Sequence, residues 1–306
     1  MAMPRAEDPS TDERDIVVPG SVSNLGPAFD TLAVAVRLFL CVRVVDVRPS
    51  EPDVFECRFV DAPLVGDNRI EQAFRHARRR IGIQAPGVSV EVRTEIPLQA
   101  GLGSSGAATV AGLRLYELIT NRPSADWLTL ACEVEGHPDN VAAAISGGLT
   151  LSCVHDDGRV TARTWRWPMA IQLVVATPAV RVETSRARSV LPASIGMRDA
   201  VFNLQRALML VHALENGCYD DLREAMRDRW HQPFRAPLMP GLTDALALDH
   251  PAVLGVSLSG AGPSIVALTS DGGSDVASLF ADIFRRLDLP CTVRTLDVYQ
   301  SEKGKS

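Results

Sequence analysis

The sequence predicts an α+β protein of two domains that meet near residue 165, and three observations predict it. Its 306 residues suffice for two cores of ordinary size. Stretches that alternate with period two, such as "GVSVEVRT", are interleaved with helical repeats such as "NRIEQAFRHARRRIG". From about Pro168 the elements run strand–helix–strand–strand–helix–strand, the order of a ferredoxin-like split βαβ domain. The expected division is residues 15–165 and 166–299, with disordered polar tails at 1–14 and 300–306.

Bulk composition narrows the function classes. A hydrophobic content of 46% with 22% charged residues belongs to a soluble globular protein. No apolar stretch approaches the roughly 18 residues of a membrane span, so no membrane partner is expected. The 31 basic and 37 acidic residues leave a formal charge of −6, which argues against a general nucleic-acid binder. Six scattered cysteines without a CxxC pair read as reduced core thiols. The polar start lacks the apolar segment of a secretory signal, so the expected location is cytoplasmic.

In order, "DIVVPG" is a short strand that Pro19 and Gly20 should end. "LFLCVRVVDV" and "DVFECRFV" read as paired strands, and "NRIEQAFRHARRRIG" as a helix whose inner side holds Ile70, Ala73, Phe74 and Ala77. "GVSVEVRTEIP" is a strand that delivers the chain to a glycine-rich loop. Behind the loop, Ala107, Ala111, Leu115 and Leu118 recur at helical spacing, with Arg114 and Glu117 on the other face. Two shorter helices, "SADWLTLACEVEG" and "PDNVAAAI", and two strands, "GGLTLSCV" and "RVTARTWRW", complete the first half. The second half holds the strand "AIQLVVATP" and a long helix with Met197, Val201, Leu204, Leu208 and Val211 on one side. The strands "VLGVSLSG" and "PSIVALTS", the helix "GSDVASLFADIFRRL" and the strand "CTVRTLDVY" follow.

The loop is the most informative stretch. Gly101, Gly103 and Gly106 let backbone N–H groups approach a ligand without Cβ interference, and Ser104 and Ser105 stand where the helix begins. The open N–H groups and dipole of that helix favour an anion such as phosphate. A Walker loop would need a Lys after its last glycine, and none follows. "GLGSSG" fits a dinucleotide fingerprint, but Asp126, the acidic residue about 20 positions on, opens a helix rather than ending a strand. A second glycine stretch, "SLSGAGPS", holds more glycine and proline than a plain hairpin turn requires, and the turn "PGSVSNLGPAFD" carries Asn24 and Asp30, residue types that turns also use for local hydrogen bonding alone.

Together "PGSVSNLGPAFD", "PLQAGLGSSGAATVAGL" and "LSGAGPSI" resemble the three motifs of the GHMP kinases, which phosphorylate small alcohols with ATP. Within that superfamily "EGHPDNVAAAISGGL", "VETSRARSVLP" and "HQPFRAPLMP" are similar to the homoserine kinases, and the likeness spans about residues 15 to 297. The resemblance implies a ribosomal-protein-S5-like N-terminal domain, a ferredoxin-like C-terminal one, and a homodimer. It implies ATP held by Pro97, Leu98, Gln99, Ala100, Gly101, Leu102, Gly103, Ser104, Ser105 and Gly106, with Gly260 and Gly262 from the third motif. Mg²⁺ would sit on Ser105 and a Glu, Glu133 being favoured over Glu135. L-Homoserine would meet Asn24, Asp30, His137, Asn140, Thr184, Arg188 and Arg235, with Asp30 on its amine and the two arginines on its carboxylate. Asn140 stands where many relatives have an Asp base. An amide is a poor base near neutral pH, so direct in-line transfer without a dedicated protein base is expected, with Ser105 and Glu133 as the other catalytic residues. A kinase for another small amino or hydroxy alcohol, or a catalytically silent metabolite binder, are the alternatives. Ala28 and Gly106 depart from the usual Gly and Ala of the family, which bears on substrate choice.

Overall fold

The computed structural model describes residues 15–61, 67–123 and 126–300, so the expected tail at 1–14 and all but Gln300 of the one at 300–306 lie outside the described residues. The first half is built on a sheet of order β3-β4-β2-β5-β6, with β1 added beside β2. The strands are β1 (Asp15–Ser23), β2 (Leu32–Arg48), β3 (Phe55–Phe59), β4 (Gly87–Thr94), β5 (Leu149–Val154) and β6 (Val160–Trp165). Four helices accompany them: α1 (Arg69–Ile81), α2 (Ser104–Thr120), α3 (Trp127–Glu135) and α4 (Asp139–Ser146).

The central strand, β2, pairs antiparallel with β1, β4 and β5. The two stretches expected to pair with each other, β2 and β3, do not. β4 lies between them and pairs parallel with β3 through the crossover helix α1, which periodicity in either strand cannot reveal. Pro19 and Gly20 do not end β1 either. The strand continues to Ser23 through a bulge at that step, where a residue lacking N–H is tolerated. α1 buries Ile70, Ala73, Phe74 and Ala77, is capped by the Asn68 side chain on the Glu71 N–H (3.2 Å), and ends in left-handed Gly82. Along α2, Ala107, Ala111 and Leu115 are buried, but Leu118 is exposed, and Arg114 reaches inward to the Val17 and Ile145 carbonyls.

In the second half β7 (Gln172–Pro178) leads through α5 (Thr184–Ser189), α6 (Met197–Asn216), α7 (Leu222–Ala225), α8 (Gln232–Arg235) and α9 (Leu242–Leu246) to β8 (Gly255–Leu258). β9 (Ile265–Thr269), α10 (Gly273–Arg286) and β10 (Cys291–Leu296) follow. The sheet order β10-β7-β9-β8, antiparallel throughout, is that of a ferredoxin-like domain with extra helices in its first crossover. Along β7, Val174 and Ala176 face Val276, Phe280, Ile283 and Phe284 of α10, while Leu173 and Val175 join the large core shared with the first half.

Of the side of α6 expected to face inward, Val211 packs against the large core, but the rest is open. Met197, Val201, Leu204 and Leu208 are 80%, 42%, 60% and 64% exposed, and the buried residues are Asn203, Leu210, Ala213 and Leu214. The helix carries apolar residues on two sides. Asn203 turns the other one inward through bonds to the Pro27 carbonyl (3.2 Å) and Asp228 (2.6 Å). The six cysteines are free: Cys57 and Cys291 pack half-buried against the two cores, Cys41 and Cys132 are half-buried, and Cys153 and Cys218, against expectation, are exposed. Gln300, assigned to a tail, is held instead, its side chain accepting from the Trp167 N–H at 2.8 Å. No helix among the described residues is long and apolar enough to cross a membrane.

Candidate active site

The three glycine-rich segments are laced together by backbone bonds. Ser21 N–H donates to the Leu102 carbonyl (3.0 Å), Ser264 N–H to Ala100 (3.1 Å) and Gly260 N–H to Ser23 (3.1 Å). Gly101 and Gly103 have φ of +76° and +74°, and a Cβ on Gly101 would lie 2.3 Å from the Ser259 carbonyl oxygen. Only glycine fits there. The loop thus starts α2 at left-handed Gly103 with no side chain capping the first turn, and its N–H groups remain for an anion.

The loop opens on a cavity of about 640 Å³ that reaches from β2, β3 and the start of α1 at one end to α5 and α8 at the other. Of the expected site residues, the loop segments 98–101 and 103–106 line it, as do Gly260, Gly262, Asn24, Asp30, His137, Asn140, Thr184, Arg188 and Arg235. Leu102 does not, being buried below the loop, and neither does Pro97.

Glu133 is not at the cavity. Its carboxylate is paired with Arg80 (2.8 and 3.0 Å) and His76 (2.7 Å) on the outer side of α3. Partial burial acts to raise its pKa, but the bonds from Arg80 and His76 outweigh it and hold the group below the usual carboxylate range. Glu135 is the residue at the site, accepting from Ser105 Oγ (2.8 Å) and Thr109 Oγ1 (2.5 Å). Two positions on a helix differ by about 200°, so only one of the two carboxylates can face α2. Thr109 was not anticipated, although it follows Ser105 by four residues on the same face of α2.

Asn24 is 3% exposed and its amide is engaged on both sides: Nδ2 donates to the Gly260 carbonyl (2.9 Å) and Oδ1 accepts from the Asp30 N–H (2.9 Å). It holds Asp30, a left-handed residue with φ of +52°, at the rim of the cavity. There the Asp30 carboxylate meets the Arg188 guanidinium in a two-pronged pair (2.7 and 2.9 Å). Arg235 is 1% exposed and donates to the carbonyls of Ala187 (3.0 Å) and Gly260 (2.9 Å). Burial first, then the charge of Arg188, brings its pKa down to about 10, so it stays charged at neutral pH.

At the centre, Asn140 Oδ1 accepts from Ser21 Oγ (2.8 Å). Its neighbour Asp139 is a buried part of the wall. It accepts from the Asn140 N–H (2.8 Å) and pairs with His137 Nδ1 (2.9 Å). Burial opposes charge on both members. The contact between them outweighs it, raising the His137 pKa and lowering that of Asp139. The lowered carboxyl stabilises the fold above its unfolded value of about 3.9 and loses that contribution as pH falls toward its folded value. The raised imidazole contributes below about 6.5 and loses its share as pH rises through its folded value. The Tm deficit of Asp139→Asn is therefore expected to be widest between those two values and to narrow in alkali. An equal deficit at mildly acidic and alkaline pH, in thermal melts, would contradict the pairing.

The family model described as "GHMP kinases N terminal domain" matches residues 68–148, and that described as "GHMP kinases C terminal" matches residues 210–279. A homoserine kinase of Solibacter usitatus is 37% identical over 276 residues, covering 88% of this chain and 89% of the relative. One of Moorella thermoacetica is 36% identical over 284 residues, covering 91% and 95%. Among solved structures, a homoserine kinase from Cytophaga hutchinsonii superposes with a TM-score of 0.81 at 27% identity, over 97% of this chain and 98% of that one. The Lactococcus lactis galactokinase, with a TM-score of 0.67 at 13% identity over 94% of each chain, shares the fold alone. With relatives at 36–37% identity over about nine-tenths of the chain, and the two GHMP kinase models matching its two halves, the chain belongs to the homoserine kinase family of the GHMP kinases.

Proposed function

We propose that the protein transfers the γ-phosphoryl group of ATP to the side-chain hydroxyl of L-homoserine. One observation supports this above the others: a carboxylate and two guanidinium groups, Asp30, Arg188 and Arg235, line the cavity at its α5 and α8 end, with the glycine-rich loop between them and the end formed by β2 and β3. Asp30 and Arg188 pair with each other in the free protein. A zwitterion replaces each partner in kind, its ammonium taking Asp30 and its carboxylate taking Arg188 and Arg235. A substrate with only one of the two charges leaves the other group unmatched.

Leu40, Phe59, Asn68 and Thr94, which sequence patterns did not single out, line the other end of the cavity and suit a flat nucleobase. The open N–H groups at the start of α2 receive phosphate oxygens. Ser105 and Glu135 offer hard oxygen donors of the kind magnesium takes. Among the described residues no three His, Cys, Asp or Glu side chains form a metal cluster, so such an ion would complete its shell with phosphate oxygens and water. When bound, it neutralises charge on the phosphates. Asn140 orients the attacking hydroxyl, and its amide takes no proton. His137, held by Asp139 at 2.9 Å, forms part of the wall, and no side chain serves as a dedicated base. The hydroxyl oxygen forms the new bond to phosphorus as the bond to the ADP oxygen breaks, and the hydroxyl proton passes to phosphate or water.

ADP release from ATP and magnesium should be fast with L-homoserine and slow with L-threonine, L-serine and mevalonate. Faster turnover of any of the other three than of homoserine would overturn the assignment.

A further inference from the structure

His231 has no part in the mechanism above, yet it is fully buried between the first motif and α8. Its two ring nitrogens have partners of opposite kind. Nε2 lies 2.7 Å from the Gly26 carbonyl oxygen, which can only accept, so Nε2 bears the hydrogen. Nδ1 lies 3.3 Å from Nη1 of Arg235, which can only donate, so Nδ1 keeps its lone pair. Geometry alone fixes the neutral, Nε2-protonated tautomer. Burial, the largest influence, lowers the pKa of the ring in the same sense, against the pull of Asp228 at 3.6 Å.

The consequence falls on Arg235. Two of its hydrogens are fixed by backbone carbonyls, from Nε to Ala187 and from Nη1 to Gly260. His231 Nδ1 is the acceptor for the second Nη1 hydrogen, which would otherwise be buried without a partner. Among the described residues these bonds use Nε and Nη1, leaving Nη2 to the cavity. Phe29 fixes the remaining rotation: its ring centroid is 5.1 Å from the Arg235 guanidinium carbon, 5.4 Å from that of Arg188 and 5.3 Å from the His231 ring.

We infer that His231 is a positioning residue for substrate binding: as a neutral acceptor it holds Arg235 over the Phe29 ring with Nη2 left for the substrate carboxylate. The inference rests on the homoserine reading above, which it extends from the groups that touch the substrate to one that aims them. Because the ring acts through two different atoms, two substitutions separate its roles. Glutamine places its amide where Nε2 stands and keeps the donor to Gly26; asparagine places its amide where Nδ1 stands and keeps the acceptor for Arg235.

The test compares His231→Gln and His231→Asn with the parent in steady-state kinetics. His231→Gln is expected to raise the KM for L-homoserine about tenfold, with kcat and the KM for ATP within about twofold. His231→Asn should bring the homoserine KM back to within about threefold of the parent. An unchanged homoserine KM in His231→Gln overturns the proposal. So does a joint fall of kcat, both affinities and Tm in the two variants alike, the mark of a residue that only holds the fold. If the parent turns over no homoserine, the substrate reading fails instead. The positioning proposal is then decided by long-range proton–nitrogen correlation spectra of the histidine-labelled protein near neutral pH. A neutral Nε2–H ring is expected; an imidazolium or an Nδ1–H ring overturns it.

Discussion

Glu135→Gln should lower kcat roughly 10²- to 10³-fold, while Glu133→Gln leaves it within about twofold. Both carboxylates end the same helix, so the pair separates place from composition. Glu135 receives the hydroxyls of Ser105 and Thr109 at the foot of the phosphate loop, which places its charge beside the phosphates where a divalent cation would bind. Glutamine keeps the shape and one oxygen but loses that charge, so the apparent magnesium requirement should rise along with the fall in kcat. Glu133 faces Arg80 and His76 on a part-exposed surface, where ion pairs contribute at most about 1 kcal/mol. Its removal should appear in Tm, if anywhere. Magnesium titrations of ADP release in the two variants decide the matter, and equal losses in both would return Glu133 to the site.

Arg235→Ala should weaken homoserine binding about a hundredfold, read as KM, with a smaller change in the KM for ATP. Its guanidinium is buried, is bonded to two carbonyls before substrate arrives, and loses little side-chain freedom on binding a carboxylate. Arg188 differs. It must release Asp30 before it can serve the substrate, so part of its attraction to a carboxylate is offset by the pair it leaves. Arg235→Lys should restore charge without restoring the fixed fork, and so recover only a fraction of the affinity. A homoserine KM in Arg235→Ala close to that of the parent would show that the carboxylate lies elsewhere. Alanine also leaves the Gly260 and Ala187 carbonyls without this donor, so a lower Tm is expected as well.

Much of this was legible in the sequence because local chemistry determines it. The glycines of the loop, the inward residues of α1 and the βαββαβ order of the second half follow from backbone freedom and periodicity, which a linear string displays. Periodicity failed where two answers share one period. α6 has apolar residues on both sides, and which side is inner depends on Asn203 meeting Pro27 and Asp228, contacts between distant segments. The choice between Glu133 and Glu135 failed similarly: helix phase relative to α2 is a tertiary quantity. Phe29 and His231 stood inside motifs that had been noticed, yet nothing in their spacing says that one ring would lie within 5.4 Å of two arginines.

The last described residues run back to the first sheet. Val298 bridges to Val36, Tyr299 exchanges backbone bonds with Ala35 and Gly148, and Gln300 holds Trp167 at the start of the second half. The C-terminal half is thus fastened at both its ends to the N-terminal one. Chimeras that exchange only residues 166–296 with those of a relative, to alter which alcohol is taken, would therefore carry a mismatched seam. The strand segment Val34–Val36 is as much a part of the graft as Arg188 and Arg235, and modular evolution of the pocket would have to carry that seam with it.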